Sequence, residues 1–456
     1  MEAITIPHVR IPSINVGGIC LPGIGTPGSV GKKGLVWPAG MKEHIKAIYD
    51  PKKQGMTNFD VIEAYTEDFK KWNNSPEKYT GSLTSNSLAF TNVLQTTALI
   101  YYSTKPYDFK VLITGLQEGQ HIKFGFDYGE TILEADKNGV YTIEWKEGLR
   151  SYGIYTNFVG DCNITITQLP TSILKDLSGN GNHAYLYGGK GKLNSGMGLY
   201  KVDFTSYRKS SVQTEVKPDV VKVTPNATDY LFIQYANSAE IPSYKIKVIG
   251  LGDNVLTYQY ATENGRKEIN IVEGENELPT SIKVSNDYQI GYRLTPGTSV
   301  FTITQIPDYP DQLCYDGKMY AVCYGFPILT DYTVMAERTW FDNMNRACFL
   351  SKTIEVGVGA FLFEIFGSNN TFDTYSYGNI NNVKPFETGI TYQTKKSYNG
   401  NSILSGNFND SDVLTIGKIR PTEYNGYVGC HSKIIIADRS FTEEEINWLK
   451  QNWDKI

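Results

Sequence analysis

Two stretches of the chain recur at a nearly constant separation, and this repeat constrains the fold more than any other feature. The segment "FKVLITGL" (109–116) is similar to "YKIKVIGL" (244–251), and "ITITQLP" (164–170) is similar to "FTITQIP" (301–307). Gly115 and Gly250 are 135 residues apart, and Gln168 and Gln305 are 137 residues apart. Recurrence of these landmarks in one order indicates two copies of one folding unit.

The segments between these landmarks alternate apolar and polar residues. "HIKFGFDYG" and "VYTIEWKEG" occur in the first copy, and "VLTYQYATENG" and "KEINIVEG" occur in the second. Alternation with a period of two, bounded by Gly, Asn and Asp, is typical of antiparallel strands joined by tight turns. We therefore predict two small Ig-like β-sandwich repeats, at residues 88–170 and 211–310.

The residues on either side of the second copy predict one larger β domain. The segment "LKDLSGNGNHAYLYG" (174–188) places a Gly- and Asn-rich turn before a strand, and similar patterns resume beyond Pro310. "KIIIADRS" (433–440) is an apolar, β-branched run that suits a buried strand. Thr442 and Glu445 have the spacing of a capping box for a final helix. We expect residues 171–210 and 311–456 to form this domain, with the second repeat inserted at a surface loop.

This interrupted domain resembles the concanavalin A-like (laminin G-like) jelly-roll lectin superfamily. The stretches that carry the resemblance are "DLSGNGNHA", "YDGKMYAV" followed by "PILTDYTVMAE", "LTIG", and "GYVGCHSKIIIADRSFTEEEI". The resemblance implies a jelly-roll sandwich that binds carbohydrate, in some relatives with calcium. The expected fold class is therefore mainly β: one jelly-roll sandwich, two Ig-like sandwiches and a short helical and extended N-terminal region.

The first 87 residues lack the strand alternation of the rest. Residues 11–40, "IPSINVGGICLPGIGTPGSVGKKGLVWPAG", are dense in Gly and Pro, which predicts an extended arm that becomes ordered against a partner. A three- to four-residue spacing of apolar side chains predicts a helix within 56–74. These side chains are Phe59, Ile62, Tyr65, Phe69 and Trp72, and a shorter helix is predicted on Met41, Ile45 and Ile48. We assign residues 1–87 to an arm and a helical anchoring region.

Composition excludes several partners. The net charge is −5 without a basic stripe, so nucleic acid is not an expected partner. No run of about 18 apolar residues is present, so the chain is not expected to enter a membrane. The amino terminus has no signal-peptide pattern. The six cysteines form no C-x-x-C pair and are expected to be buried thiols from a reducing compartment.

The combination of modules also resembles virion proteins of tailed phages that infect Bacteroides, the crAss-like phages among them. This resemblance implies a structural protein of the virion, a head or tail fibre or decoration subunit, assembled in the host cytoplasm and released by lysis. It implies other virion proteins as partners of the N-terminal arm, a host surface glycan as a ligand, and a homo-oligomer, because fibres are usually symmetric.

Two loops have the composition of binding sites. A sugar site needs aromatic rings for stacking and amides for hydrogen bonds, and the segment 367–382 fits this best. Its candidate sugar-binding residues are Phe372, Tyr375, Tyr377 and Asn379. Oxygen ligands for a hard cation such as calcium are concentrated in "NFNDSD" (407–412). Its candidate cation ligands are Asn407, Asn409, Asp410 and Asp412. No other cofactor is expected.

The sequence does not predict an enzyme. The strand "EINIVE" (268–273) resembles the acidic strand of laminarinase-type glycosidases, but Asn270 stands at the position of the middle Asp. No motif of a serine hydrolase, a zinc protease or a P-loop is present. A bacterial cell-surface glycan-binding protein is the alternative to a virion protein, and a jelly-roll glycosidase is a further one.

Overall fold

A computed structural model describes most of the chain. The described residues are 15–16, 19–20, 35–97, 99–102, 108–126, 131–144, 152–209, 213–225, 230–235, 240–284, 289–342, 347–355, 358–366, 371–376, 379–382, 388–406, 410–419 and 426–456. In a few of the strands only the backbone is described.

Strands dominate the described residues, which confirms the prediction of a mainly β chain. The strands in chain order are β1 (Asn15–Val16), β2 (Ile19–Cys20), β3 (Ile45–Tyr49), β4 (Asn73–Asn74), β5 (Tyr79–Leu83), β6 (Ser87–Val93), β7 (Ile100–Tyr102), β8 (Phe109–Thr114), β9 (Ile122–Phe126), β10 (Thr131–Ala135), β11 (Gly139–Ile143), β12 (Tyr152–Thr156), β13 (Gly160–Gln168), β14 (Ile173–Leu174), β15 (Ala184–Tyr187), β16 (Gly196–Leu199), β17 (Arg208–Lys209), β18 (Gln213–Val216), β19 (Val220–Val223), β20 (Tyr230–Tyr235), β21 (Tyr244–Ile249), β22 (Val255–Thr262), β23 (Gly265–Ile271), β24 (Gly274–Leu278), β25 (Gln289–Thr295), β26 (Phe301–Ile306), β27 (Asp308–Asp316), β28 (Tyr320–Tyr324), β29 (Thr333–Trp340), β30 (Cys348–Glu355), β31 (Val358–Phe366), β32 (Thr371–Ser376), β33 (Asn379–Asn382), β34 (Gly389–Thr394), β35 (Ser397–Tyr398), β36 (Asn401–Ser402), β37 (Val413–Ile416) and β38 (Val428–Ala437). The α-helices are α1 (Pro51–Gln54) and α2 (Glu443–Gln451). Short 3₁₀ helices lie at Lys42–His44, Phe69–Lys71, Pro76–Lys78 and Phe204–Ser206.

The chain divides into two compact units, one of residues 1–43 with 442–456 and one of residues 44–441. In the first unit β1 and β2 form a two-stranded antiparallel hairpin. Helix α2 begins with the predicted capping box: the Thr442 amide donates to the Glu445 carboxylate (2.9 Å) and the Glu445 amide donates to the Thr442 hydroxyl (3.3 Å). The rings of Trp37 and Trp448 lie 5.0 Å apart in this unit.

Two eight-stranded antiparallel sheets form the centre of the second unit. One has the order β14-β15-β28-β37-β30-β31-β32-β33, and the other has the order β16-β27-β38-β29-β34-β35-β36 with β3 also paired to β38. A single hydrophobic cluster contains residues of both sheets, including Leu186, Tyr315, Leu414 and Ile434. The strands within residues 173–199 therefore share their sheets and their hydrophobic core with β27, which begins at Asp308, and with later strands.

The Gly- and Asn-rich turn at 176–183 binds the backbone of β3. The carboxylate of Asp176 accepts from the amides of Ile48 (3.0 Å) and Asn182 (3.1 Å). The side-chain amide of Asn182 donates to the Lys46 carbonyl (2.7 Å). Polar groups of an edge strand need such partners, so the turn completes the hydrogen bonding of β3 that β38 leaves open on the other side.

Two pairs of five-stranded antiparallel sheets share one arrangement. The first pair has the orders β10-β9-β12-β7-β4 and β11-β8-β13-β6-β5. The second pair has the orders β17-β20-β25-β22-β23 and β18-β19-β26-β21-β24. The repeated stretches are neighbouring strands in both: Ile113 of β8 lies opposite Ile166 of β13, and Val248 of β21 lies opposite Ile303 of β26. Each pair encloses its own hydrophobic cluster.

The predicted helix within 56–74 is absent, and so is the helix on Met41, Ile45 and Ile48. Phe59 is 79% exposed, whereas Phe69 and Trp72 are buried in the core of the first five-stranded pair. Their three- to four-residue spacing therefore does not describe one face of one element. Residues 45–49 form β3 instead, because pairing with β38 overrides a weak local preference for helix.

Both five-stranded pairs include buried residues that precede positions 88 and 211. Asp68 caps the 3₁₀ helix that carries Phe69, and Asp203 caps the 3₁₀ helix that carries Phe204. Both phenylalanines are fully buried in their five-stranded pairs. The predicted anchoring region 1–87 therefore supplies β3 to the central sheets and residues from about 68 to the first pair. The second pair likewise begins at about residue 202.

Candidate functional site

The residues predicted to bind sugar lie largely outside the described side chains. Phe372 and Tyr375 are on β32 and Asn379 is on β33, which together end one central sheet, but only their backbone is described. Tyr377 lies outside the described residues. The neighbouring Ser376 is buried, accepts from the Tyr332 hydroxyl (2.9 Å) and donates to the Lys395 carbonyl (2.6 Å). The hairpin of β32 and β33 is therefore hydrogen-bonded to the central core through Ser376.

The predicted cation loop is only partly described. Asn407 and Asn409 lie outside the described residues, and Asp412 is exposed. The side chain of Asp410 is fully buried and contacts the ammonium of Lys352 at 2.7 Å. In the part of the chain that the structure describes, no group of three His, Cys, Asp or Glu side chains could hold a metal ion.

A turn at residues 57–62 displays an aromatic ring on a constrained backbone. The amide and hydroxyl of Thr57 donate to one carboxylate oxygen of Asp60, at 2.6 and 2.9 Å. The Met197 amide donates to the Asn58 side-chain oxygen (2.7 Å). Phe59, between these two anchored residues, is 79% exposed. A large apolar side chain held so far into solvent is a candidate binding group.

An open cleft of about 380 Å³ lies beside this turn. Gln54 joins its walls, because its amide donates to the Ile173 carbonyl (2.9 Å) and accepts from the Lys175 backbone amide (2.8 Å). The cleft is lined by Gln54, Gly55, Met56, Phe59, Asp60, Thr171, Ser172, Ile173 and Lys175.

The cleft offers three kinds of group to a ligand. The ring of Phe59 can stack, Oδ1 of Asp60 can accept, and the ammonium of Lys175 can donate. Asp60 and Lys175 are exposed, and among the described residues neither Oδ1 of Asp60 nor Nζ of Lys175 has a hydrogen-bond partner. An aromatic ring in one cleft with a carboxylate and an ammonium suits a ligand with apolar CH faces and many hydroxyls.

A second aromatic cluster lies on β15 and β28, which are neighbours in the central sheet that begins with β14. Its tyrosines do not belong to the central hydrophobic cluster. The rings of Tyr187 and Tyr320 stack at 5.2 Å, and the ammonium of Lys418 lies 4.5 Å from the centre of the Tyr320 ring. The hydroxyls of Tyr187 and Tyr324 are 3.2 Å apart. Burial raises the pKa of Tyr320 to about 12, so this phenol is neutral at physiological pH. These rings cover one another, and the cleft beside Phe59 is the more open aromatic surface.

Sequence reasoning missed both aromatic surfaces, and only one of them left a signal. "AYLY" and "YAVCY" place tyrosines at alternating positions, which predicts one face of a strand pair. Phe59 left no such signal, because its spacing to Ile62 suggested a helix.

The acidic strand of the second small pair does not form a paired-carboxylate site. Glu268 is exposed on the edge strand β23, where its carboxylate accepts from the Gln259 amide (3.1 Å). The carboxylate of Glu273 accepts from the amides of Gly250 (2.9 Å) and Leu251 (2.7 Å). Both carboxylates hold local structure in the second pair.

Comparisons with known proteins find no family model and no curated protein that matches the chain. A GH54 α-L-arabinofuranosidase structure is similar at 10% identity over 80% of this chain and 61% of its own, with a TM-score of 0.27. A Trypanosoma rangeli sialidase in complex with sialic acid is similar at 9% identity over 83% of each chain, with a TM-score of 0.25. The M60 catalytic domain with two CBM51 domains of Clostridium perfringens ZmpB is similar at 9% identity over 55% of this chain and 37% of its own, with a TM-score of 0.17.

These values are too low to support an argument about activity. The chain spans about 61% of the length of the arabinofuranosidase that it matches. In the part of the chain that the structure describes, none of the helices has the length and hydropathy of a membrane span.

Proposed function

We propose that this protein is a non-catalytic carbohydrate-binding subunit of a phage particle, a head or tail fibre or decoration protein. The observation that carries the proposal is the open cleft that the exposed Phe59 lines together with Asp60 and Lys175. A sugar ring stacked on Phe59 would use both charged groups for its hydroxyls. The segment 367–382, with Phe372, Tyr375, Tyr377 and Asn379, stays a second predicted contact.

The finer fold assignment belongs to the same proposal. The central pair of sheets corresponds to the concanavalin A-like or laminin G-like sandwich, and the two five-stranded pairs correspond to the Ig-like repeats. Two hydrophobic clusters separate from the central one support this division, because each module has a core of its own.

The assembly is part of the proposal too. The Gly- and Pro-rich residues 11–40 dock on other virion proteins, and the subunit forms a homo-oligomer in the particle. Several copies on one particle would strengthen a weak sugar contact without any new interaction. The protein is assembled in the host cytoplasm and released by lysis.

Binding of the full-length chain to host cells, with and without their surface polysaccharide, tests the carbohydrate part. We expect polysaccharide-dependent binding that Phe59→Ala weakens at least tenfold, about 1.4 kcal/mol, as for a central aromatic contact. Leu404→Ala is the matched control, since Leu404 is 69% exposed and does not line the cleft. Equal binding by both variants, or binding without polysaccharide, would contradict the site.

Mass spectrometry of purified particles tests the virion part. The proposal requires the chain in the particles at a fixed ratio to the major structural proteins. Recovery of the chain only from the surface of uninfected bacteria would instead favour a cell-surface glycan-binding protein.

A further inference from the structure

A buried ion pair joins two neighbouring segments of the central sheet. Lys352 lies on β30, and Asp410 lies three residues before β37, the strand that pairs with β30 through Leu350 and Ser351. The ammonium nitrogen of Lys352 is 2.7 Å from Oδ2 of Asp410, and both side chains are 0% exposed. The two residues are 58 positions apart in the chain.

The pair has an aromatic neighbour and few hydrogen-bond partners among the described residues. The ring of Phe326 lies 5.4 Å from the Lys352 nitrogen. The Leu329 amide donates to Oδ2 of Asp410 (2.7 Å), and the Lys352 nitrogen also donates to the Ser411 carbonyl. Oδ1 of Asp410 is buried and has no partner among the described residues. A buried carboxylate oxygen without a partner is costly.

Burial also disfavours the positive charge of the Lys352 ammonium. Burial lowers the pKa of the Lys352 ammonium, which the nearby Asp410 carboxylate only partly offsets. An ammonium that gives up a proton to the departing Oδ1 oxygen becomes a neutral amine. Nucleophilic lysines are activated in this way, because only the neutral amine carries a free lone pair.

We propose that Lys352 and Asp410 become joined by an intramolecular amide bond, an autocatalytic modification of the folded chain. The Lys352 nitrogen attacks Cγ of Asp410, the N–Cγ bond forms and the Cγ–Oδ1 bond breaks. Of the three ammonium protons, one stays on the amide nitrogen and two leave with Oδ1 as water. The condensation needs no oxidant or co-reactant.

The existing hydrogen bonds fit both the reaction and its product. The Leu329 amide is placed to stabilise the negative charge that develops on Oδ2 during the attack. Afterwards Oδ2 is the amide oxygen and keeps the Leu329 donor, while the amide N–H keeps the Ser411 carbonyl. The atom that leaves, Oδ1, is the one without a partner. The cross-link therefore removes the unsatisfied atom and fixes the segment before β37 to β30.

Intact-mass spectrometry of the denatured full-length chain is the test. We expect a mass lower than the sequence mass by one water, and tandem spectra that contain a branched peptide joining Lys352 to Asp410. Lys352→Arg and Asp410→Ala should restore the full mass. Lys433→Arg is the matched control: Lys433 and Asp50 form a second buried pair, but at 3.4 Å, and Oδ1 of Asp50 already accepts from the Lys53 amide.

The wild-type chain alone decides the proposal if the variants fail to fold. The full sequence mass in a folded wild-type sample, or a loss of water located at other residues, would overturn it. A mass deficit that persists in Lys352→Arg would also overturn it.

Discussion

Gln305 tests how the five-stranded sheets hold the segment that enters them. Its Oε1 accepts from the amides of Lys201 (2.8 Å) and Val202 (3.1 Å), and its Nε2 donates to the Val202 carbonyl (2.8 Å). Gln168 occupies the same place in the first pair, where it pairs with the amide (2.7 Å) and carbonyl (2.8 Å) of Glu67. The repeated Thr-Gln-x-Pro stretch therefore supplies a buried glutamine to each pair. We call its hydrogen bonds to the backbone of the entering segment the glutamine clamp.

The expected cost of Gln305→Leu follows from the groups that lose their partners. Leucine has a similar volume, so little cavity energy is added. The backbone of Val202 is buried and would keep an unsatisfied N–H and an unsatisfied carbonyl, at about 1–3 kcal/mol each. Lys201 is exposed, so its amide can bind water instead. We expect a loss of about 3 kcal/mol that is confined to the second pair.

Hydrogen–deuterium exchange of the full-length chain is the suitable assay, because one melting temperature does not describe a chain with several cores. Peptides covering 201–207 and 301–306 should exchange about a hundredfold faster in Gln305→Leu, while peptides covering 67–72 stay unchanged. Gln259→Leu is the control, since among the described residues this buried glutamine donates only to the exposed Glu268 carboxylate. Equal exchange in both variants would refute the glutamine clamp.

Two further perturbations test the cores. Burial lowers the pKa of His431 to about 3 from an ordinary value of 6.5. Between these pH values His431 binds a proton in the unfolded chain but stays neutral in the folded chain. The free energy of unfolding of the central sheets should therefore fall by about 1.4 kcal/mol per pH unit on acidification. Urea unfolding of His431→Gln should show a weaker decline, and an unchanged slope would contradict this. Gly115 and Gly250, repeated positions with φ of +85° and +83°, should not tolerate alanine. In Gly115→Ala the new Cβ would overlap a backbone oxygen, whereas in Gly250→Ala it would lie 2.8 Å from one, so proteolysis of the first pair should rise more than that of the second.

Strand alternation explains what could be predicted from the sequence. A period of two places Val111 and Ile113 of β8, and Ile246 and Val248 of β21, on one buried face each. Because this pattern is local, the mainly β class was visible without any knowledge of pairing partners. The capping box at Thr442 is local in the same sense, since both of its partners lie within one helical turn.

The wrong helix prediction involved residues whose surroundings depend on contacts with distant parts of the chain. Phe59 and Phe69 both fitted one helical stripe, yet Phe59 is exposed beside a cleft and Phe69 is buried in the first five-stranded pair. The difference depends on Asn58, which binds the Met197 amide, and on Asp68, which caps a 3₁₀ helix. A spacing rule contains neither contact.

Local patterns were enough to predict that this protein is built mainly of strands and that one unit occurs twice, because alternation and repetition can be read from the amino-acid order. The folded chain was needed to show that β3 pairs with β38, that Phe59 borders an open cleft, and that Lys352 contacts Asp410, 58 positions away. Such contacts depend on strand register and burial, which arise from the free energy of the whole packed chain and leave no local pattern.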